Sequence, residues 1–300
     1  MRVTLFHNPT AGDMSIGAEG LESILSDAGY QVRYQSTKKG WRSALDDPGE
    51  LAIAAGGDGT IAMIARAVAD TDIPLAVLPF GTANNIGKSI GAFGDIATIV
   101  AGWRSGAMRS LDVGVVSGPF GEERFIEAVG GGVFADLIRR GSSEVEEAPA
   151  MVGRETDRAL QLLRHILETA DAGEWELALD DYDLSGTYLA VEAMNVGFAG
   201  PNVPLASDAL VDDGELDLVL VREEDRARLL QYLTGRVESA SALMPSLDVR
   251  RGRTVRMVPP KGWAIRVDDE LRDVDGQAVD VLVRPRAVRL VGGRSGASGA

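Results

Sequence analysis

The stretch Leu51-Ala52-Ile53-Ala54-Ala55-Gly56-Gly57-Asp58-Gly59-Thr60 constrains this chain more than any other. Its apolar start reads as a buried strand, and the Ala/Ile/Met/Val run over 61–68 reads as a helix. Three glycines and one carboxylate sit at the junction. Glycine tolerates positive φ and lets a ligand approach the backbone without meeting a Cβ. A helix start adds unpaired N–H groups and the positive end of the macrodipole, so the layout is an anion site. A carboxylate repels an anion unless a cation or hydroxyl lies between them. Asp58 therefore points either to a metal-bound polyphosphate or to a cap on a tight strand–helix turn.

The flanking pattern repeats this layout. A strand over 3–6 ends at Asn8-Pro9-Thr10-Ala11-Gly12, and a helix over 16–28 and a strand over 30–35 follow, with Thr37 just past the latter. The apolar run 73–78 leads into Phe80-Gly81-Thr82-Ala83-Asn84-Asn85, a second loop with backbone N–H groups and a threonine hydroxyl. Strands alternating with helices predict an α/β domain with a parallel sheet and a site at the carboxyl ends of the strands. From residue 111 onward the runs shorten and glycine turns separate them, at 111–116, 124–129, 175–179 and 188–196. Closing strands are expected at 265–267, 279–283 and 288–291. This predicts a mainly antiparallel second domain, interrupted by helices over 157–170 and 223–237. The acidic stretch 142–148 reads as a mobile loop and 293–300 as a disordered tail.

Composition excludes several classes. A net charge of −15 argues against nucleic-acid binding and against broad adhesion to anionic membranes. There is no cysteine, so disulfides and thiolate metal sites are out. The start of the sequence is too soon polar for a signal peptide, and no apolar run approaches the roughly 20 residues of a membrane span; a cytoplasmic protein is expected. Asp208-Ala209-Leu210-Val211-Asp212-Asp213-Gly214-Glu215 is either a hard-cation site or a solvated acidic turn. Val267-Asp268-Asp269-Glu270 is either a presented acid after a β run or a hairpin turn. If the strand continues, alternation points Asp268 and Glu270 the same way and Asp269 away.

Taken in order, these motifs resemble the diacylglycerol kinase catalytic family of bacterial soluble lipid kinases, related to sphingosine kinases and more distantly to NAD kinases. The resemblance rests on Asn8 to Gly12, Gly56 to Thr60, Gly81 to Asn84, Asp208 to Gly214 and Val267 to Glu270. It implies an α/β domain over 1–108, joined by a returning strand near 286–292, a β-sandwich acceptor domain over 109–285, and ATP in the cleft. It implies nucleotide contacts from Asn8, Thr10, Thr37, Gly56, Gly57, Asp58, Gly59, Thr60, Gly81 and Thr82. It also implies Mg2+ held by Asp213 with main-chain oxygens of Leu210 and Glu215, and Glu270 as general base. The implied reaction is ATP-dependent phosphorylation of the hydroxyl of a diacylglycerol-like lipid, met by transient peripheral contact with a membrane. A kinase of a soluble alcohol and a degenerate lipid- or nucleotide-binding member are the alternatives, and a homodimer is compatible with each. Departures from the family pattern are Asp13, Ala62, Met63, Asn85 and Asp269.

Overall fold

The computed structural model describes residues 1–12, 16–103, 108–143, 155–239 and 242–292. Asp13 and most of the acidic stretch 142–148, like the tail 293–300, lie outside the described residues. The chain divides into two compact units, one of 1–113, 210–213 and 284–300, the other of 114–209 and 214–283.

In the first unit, the elements are β1 (Arg2–His7), α1 (Ala18–Asp27), β2 (Gln31–Ser36), β3 (Leu51–Gly56), α2 (Asp58–Val68), β4 (Pro74–Pro79), α3 (Asn85–Ser89) and α4 (Ile96–Trp103). The strands stand in the order β2-β1-β3-β4, all parallel, with Leu5 opposite both Tyr34 and Ile53 and Ala55 opposite Leu78. β3 is buried on both faces, which is why Leu51–Ala55 reads as a continuous apolar run without alternation. Leu5, Ile53 and Leu78 share one core with Leu21 and Leu25 of α1 and Val100 and Trp103 of α4. α2 buries Ile61, Ile64, Ala65 and Val68.

The chain leaves this unit along β5 (Met108–Gly118). The second unit then holds β6 (Gly121–Phe125), β7 (Ala128–Gly132), α5 (Val133–Ser143), α6 (Glu155–Thr169), β8 (Gly173–Leu179), β9 (Tyr182–Asp183), β10 (Gly186–Tyr188), β11 (Ala190–Met194), β12 (Leu216–Val221), α7 (Arg226–Ser239), β13 (Asp248–Gly252), β14 (Thr254–Val258), β15 (Ala264–Val267) and β16 (Glu270–Asp273). A six-stranded antiparallel sheet runs β13-β12-β11-β7-β15-β16. It packs Val129, Val191 and Ile265 against Trp175, Leu177 and Val255 of the β8–β14 sheet, as a sandwich does. Its other face packs Ala128, Ala190 and Met194 under Leu163, Ile166 and Leu233 of α6 and α7. The α/β domain followed by an antiparallel β domain agrees with the fold class read from the sequence.

Several local readings change. The run 124–129 is two strands, broken at Ile126-Glu127, whose burial hides the break from hydrophobic pattern alone. The runs 279–283 and 288–291 are one strand, β17 (Val279–Val291). Its buried positions shift from odd to even numbers around Arg286, which has φ 56° and donates its N–H to Asp112 Oδ1 at 2.6 Å. That irregularity is a bulge, and a slip of one residue exchanges the faces of a strand. β17 carries the chain back into the first unit, where Arg289 and Leu290 pair in parallel with Pro74 and Leu75. The segment Leu210–Asp213, which the sequence reading placed in the second domain, also belongs to the first unit: Asp112 donates its N–H to Val211 O at 2.7 Å, and Arg109 reaches Asp212 at 3.8 Å.

Val288 is fully buried in the returning strand. Val288→Ala is expected to lower stability by about 2 kcal/mol, read by urea denaturation.

Candidate active site

Four loops emerge at the carboxyl ends of β1 to β4, the edge where open α/β sheets bind ligands. The first loop is tied to the next strand by the Asn8 N–H donating to Ala55 O at 3.0 Å. The Asn8 side chain turns this loop on itself, its Oδ1 accepting from Thr10 N at 3.2 Å and Thr10 Oγ1 at 3.0 Å. Its Nδ2 donates to Thr60 Oγ1 at 3.2 Å. Thr37 donates both its N–H and its hydroxyl to His7 O, at 2.9 and 3.3 Å.

The glycine loops meet backbone to backbone. A Cβ on Gly81 would stand 2.6 Å from the Gly57 Cα, and one on Gly57 would stand 3.3 Å from the Gly81 Cα. Phe80 donates its N–H to Gly56 O at 2.8 Å, and Gly81 donates its own to Asn84 Oδ1 at 2.7 Å. Gly12 (φ 69°) lies against the same place, where a Cβ would be 2.2 Å from Phe80 O. Part of the glycine requirement is therefore loop-to-loop packing, beside the ligand approach expected from sequence.

Asp58 is the first residue of α2, with Gly57 as its N-cap. Its Oδ1 accepts the N–H of Ile86 at 2.9 Å, so it caps α3, a helix from the other glycine loop. Burial pushes the Asp58 carboxyl up from its ordinary value, opposed by the α3 amides and the charge of Lys88. Asn84 enters α3 in the left-handed conformation at φ 54°. Thr60 is buried, and its hydroxyl faces Asn8 and Gly56 rather than solvent. Gly59 and Thr82 are exposed. The first turn of α2 thus presents N–H groups with no partner inside the helix.

The second unit carries the acidic motif at 267–270. The structure corrects the expectation of a continuing strand: Val267 pairs with Glu270 across a two-residue turn at Asp268-Asp269. Asp268 has φ 52°, the conformation such hairpins require and aspartate tolerates, so the chain reverses and Asp268 and Glu270 part company. Asp268 is 3% exposed, and its carboxylate accepts from Ile126 N and Glu127 N at 3.0 and 2.7 Å. The Glu270 side chain is 60% exposed and pairs with Arg272 at 2.7 Å. Arg272 is gripped through two nitrogens by Glu123, at 2.7 and 2.8 Å, and both acids raise its pKa.

Of the expected metal residues, Asp213 is exposed, Leu210 is 39% exposed and Glu215 is half-buried. Among the described residues no three acidic, histidine or cysteine side chains gather to hold a metal. One carboxylate with main-chain oxygens suits Mg2+, which keeps waters and takes further oxygens from substrate phosphates. Sequence reasoning placed Asn84 in a motif without a role of its own, and missed Glu123, Arg272 and the buried Glu192–Arg266 pair. The charges inside the apolar runs Ala190–Met194 and Ala264–Val267 were the available signal for that pair.

A parallel α/β unit with converging glycine loops is joined in sequence to an antiparallel sandwich. The first part of the chain matches the diacylglycerol kinase catalytic family. Residues 2–116 match the diacylglycerol kinase catalytic domain, and residues 150–292 match the YegS C-terminal NAD kinase beta sandwich-like domain. The diacylglycerol kinase of Bacillus subtilis (strain 168) is 26% identical over 247 residues, covering 78% of each chain. A protein named "Probable lipid kinase YegS-like" from Pseudomonas aeruginosa (strain UCBPP-PA14) is 29% identical over 246 residues, 79% of this chain and 75% of that one. The fold is similar to a crystal structure of a diacylglycerol kinase from Bacillus anthracis (TM-score 0.72, 16% identity, 97% and 96% covered). An NAD kinase from Archaeoglobus fulgidus solved with ATP is also similar in fold, at TM-score 0.52, 10% identity and 98% and 94% coverage.

Asp58→Ala should cost about 1 kcal/mol of stability through the lost cap on α3, and Asp58→Asn should recover part of it, since the amide oxygen still accepts from Ile86. Gly81→Ala should cost more, about 1–3 kcal/mol, because two backbones must separate. Chemical denaturation checks both.

Proposed function

We propose that this member of the lipid kinase family transfers the γ-phosphoryl group of ATP to the hydroxyl of a diacylglycerol-like lipid. The observation that carries the reading is the convergence of the Asn8, Gly57 and Gly81 loops at the exposed start of α2. In this reading Asn8, Thr10 and Thr37 meet the nucleotide, and Gly56, Gly57, Gly59, Gly81 and Thr82 lie along the phosphates with the α2 amides. Asp58 and Thr60 serve the same site from behind, one as the cap on α3 and the other as the anchor of Asn8. Asp213 holds Mg2+ with the main-chain oxygens of Leu210 and Glu215. When bound, that ion neutralises phosphate charge. Glu270 accepts the acceptor's hydroxyl proton as its oxygen attacks the γ-phosphorus and ADP leaves. Asp268, the rival base in the sequence, has its carboxylate committed to two backbone amides.

Among the described residues no helix is long and apolar enough to cross a membrane. We therefore take contact with the lipid to be transient and peripheral. The acidic balance of the chain favours an apolar contact over an electrostatic one. Flotation with neutral and anionic liposomes tests this: association should survive high salt, and loss at moderate salt would refute it.

Glu270→Gln should lower turnover about 10²- to 10⁴-fold with ATP affinity and melting temperature unchanged. Asp268→Asn should instead cost about 1–3 kcal/mol of stability, as a buried acceptor weakens. Radiolabel transfer from ATP into a panel of lipids and soluble alcohols, with thermal melts beside it, checks both. Transfer into the soluble alcohols alone would replace the lipid reading, and none at all would point to a degenerate member.

A further inference from the structure

Glu192 of β11 and Arg266 of β15 are 0% and 2% exposed, and neither belongs to any motif of the family resemblance. They stand on either side of Gly130 in β7, which pairs with both. Arg266 Nε lies 3.2 and 3.0 Å from the two Glu192 oxygens, and Nη2 lies 3.0 Å from Oε2. They meet because Gly130 lacks a side chain: a Cβ there would stand 2.6 Å from the Glu192 carboxyl carbon and 2.1 Å from Val191 O. A buried ion pair is costly to desolvate, and an apolar pair of similar size commonly serves stability as well. This pair therefore calls for a role other than stability.

The third arm of the guanidinium shows that role. Arg266 Nη1 donates to the backbone carbonyl of Asp268 at 2.9 Å. The Asp268 N–H donates to Ala128 O at 2.9 Å, and its carboxylate is held by the Ile126 and Glu127 amides. Asn195 completes the frame, donating from Nδ2 to Ile126 O at 3.0 Å. Every polar group of Asp268 is thus tethered, although its backbone sits in the left-handed region. Such a conformation persists where surroundings over-determine it. Glu270 is two residues further on, at the first position of β16.

We infer that the Glu192–Arg266 pair, seated over Gly130, is a positioning device that fixes the Asp268-Asp269 turn and through it the direction of Glu270. The inference rests on the reading of Glu270 as general base. The guanidinium donates to the Glu192 carboxylate from Nε and to the Asp268 carbonyl from Nη1, two fixed directions that a lysine ammonium does not reproduce. Misplacement of a reacting group by about 1 Å costs on the order of 10² in rate.

The test replaces both charges at once, Glu192→Met with Arg266→Met, so that neither is left buried alone. The expected result is a fall in kcat on the order of 10² with KM for ATP unchanged, and faster hydrogen exchange at the amides of 268–270. Arg266→Lys, which keeps the charge opposite Glu192, should fall between the double variant and the parent, and it carries the test if the double variant does not fold. Parental kcat and exchange in a folded variant would overturn the inference. So would a loss of kcat matched by a rise in the ATP KM, which would mark the pair as merely structural. If Glu270→Gln keeps its turnover, the base assignment fails, and hydrogen exchange still decides whether the pair holds the turn.

Discussion

The close approach of Gly57 and Gly81 is the contact on which the first unit's site depends. Two strand–helix loops meet there with less room than one methyl group needs. That contact brings α3 within reach of Asp58, and the cap on α3 fixes where the second loop ends. Thr60 turns inward and anchors the first loop through Asn8. The surface left outward is made of backbone amides and small residues, which suits a polyphosphate better than any side-chain cluster would. The family's acidic residue in the glycine loop then has a physical account that needs no ligand: it buries a carboxylate at the start of a neighbouring helix, where the partial charge of the amides favours it.

The second unit solves a different problem. On the proposed reading of Glu270 as general base, that residue must sit in a fixed direction while remaining open to a substrate. Glu270 is exposed, and its orientation comes from neighbours rather than from burial. Arg272, held by Glu123, contacts it from its own strand. The turn before it is held from beneath by Asp268, Arg266 and Glu192. The departure of Asp269 from the family's glycine is tolerable because φ is positive at Asp268, not at Asp269. Ala62, another departure, is buried in α2 and packs as core.

What the sequence determined by itself was the arithmetic of local pattern. Continuous apolar runs at 51–55 and 73–78 specify central parallel strands, because only a strand covered on both faces can be apolar throughout. The ordered glycine motifs located the site's loops and, by resemblance, the family. Short runs separated by glycine turns after residue 111 pointed to the antiparallel class of the second unit. Local pattern failed where direction depends on one dihedral. Asp268 reads equally as the end of a strand or the start of a turn, and its φ of 52° separates them.

Tertiary structure alone decided which partners the polar residues take. Asp58 and Ile86 lie 28 positions apart, Asp268 and Ile126 142 apart, and Glu192 and Arg266 74 apart. Periodicity sees neighbours within a turn or a pleat and is blind at such separations. Strand order sets these pairings: Gly130 comes to lie between Glu192 and Arg266 only because β7 sits between β11 and β15. The same order brings the tail of β17 beside β4, so residues at the far end of the chain complete the sheet that carries the glycine loops.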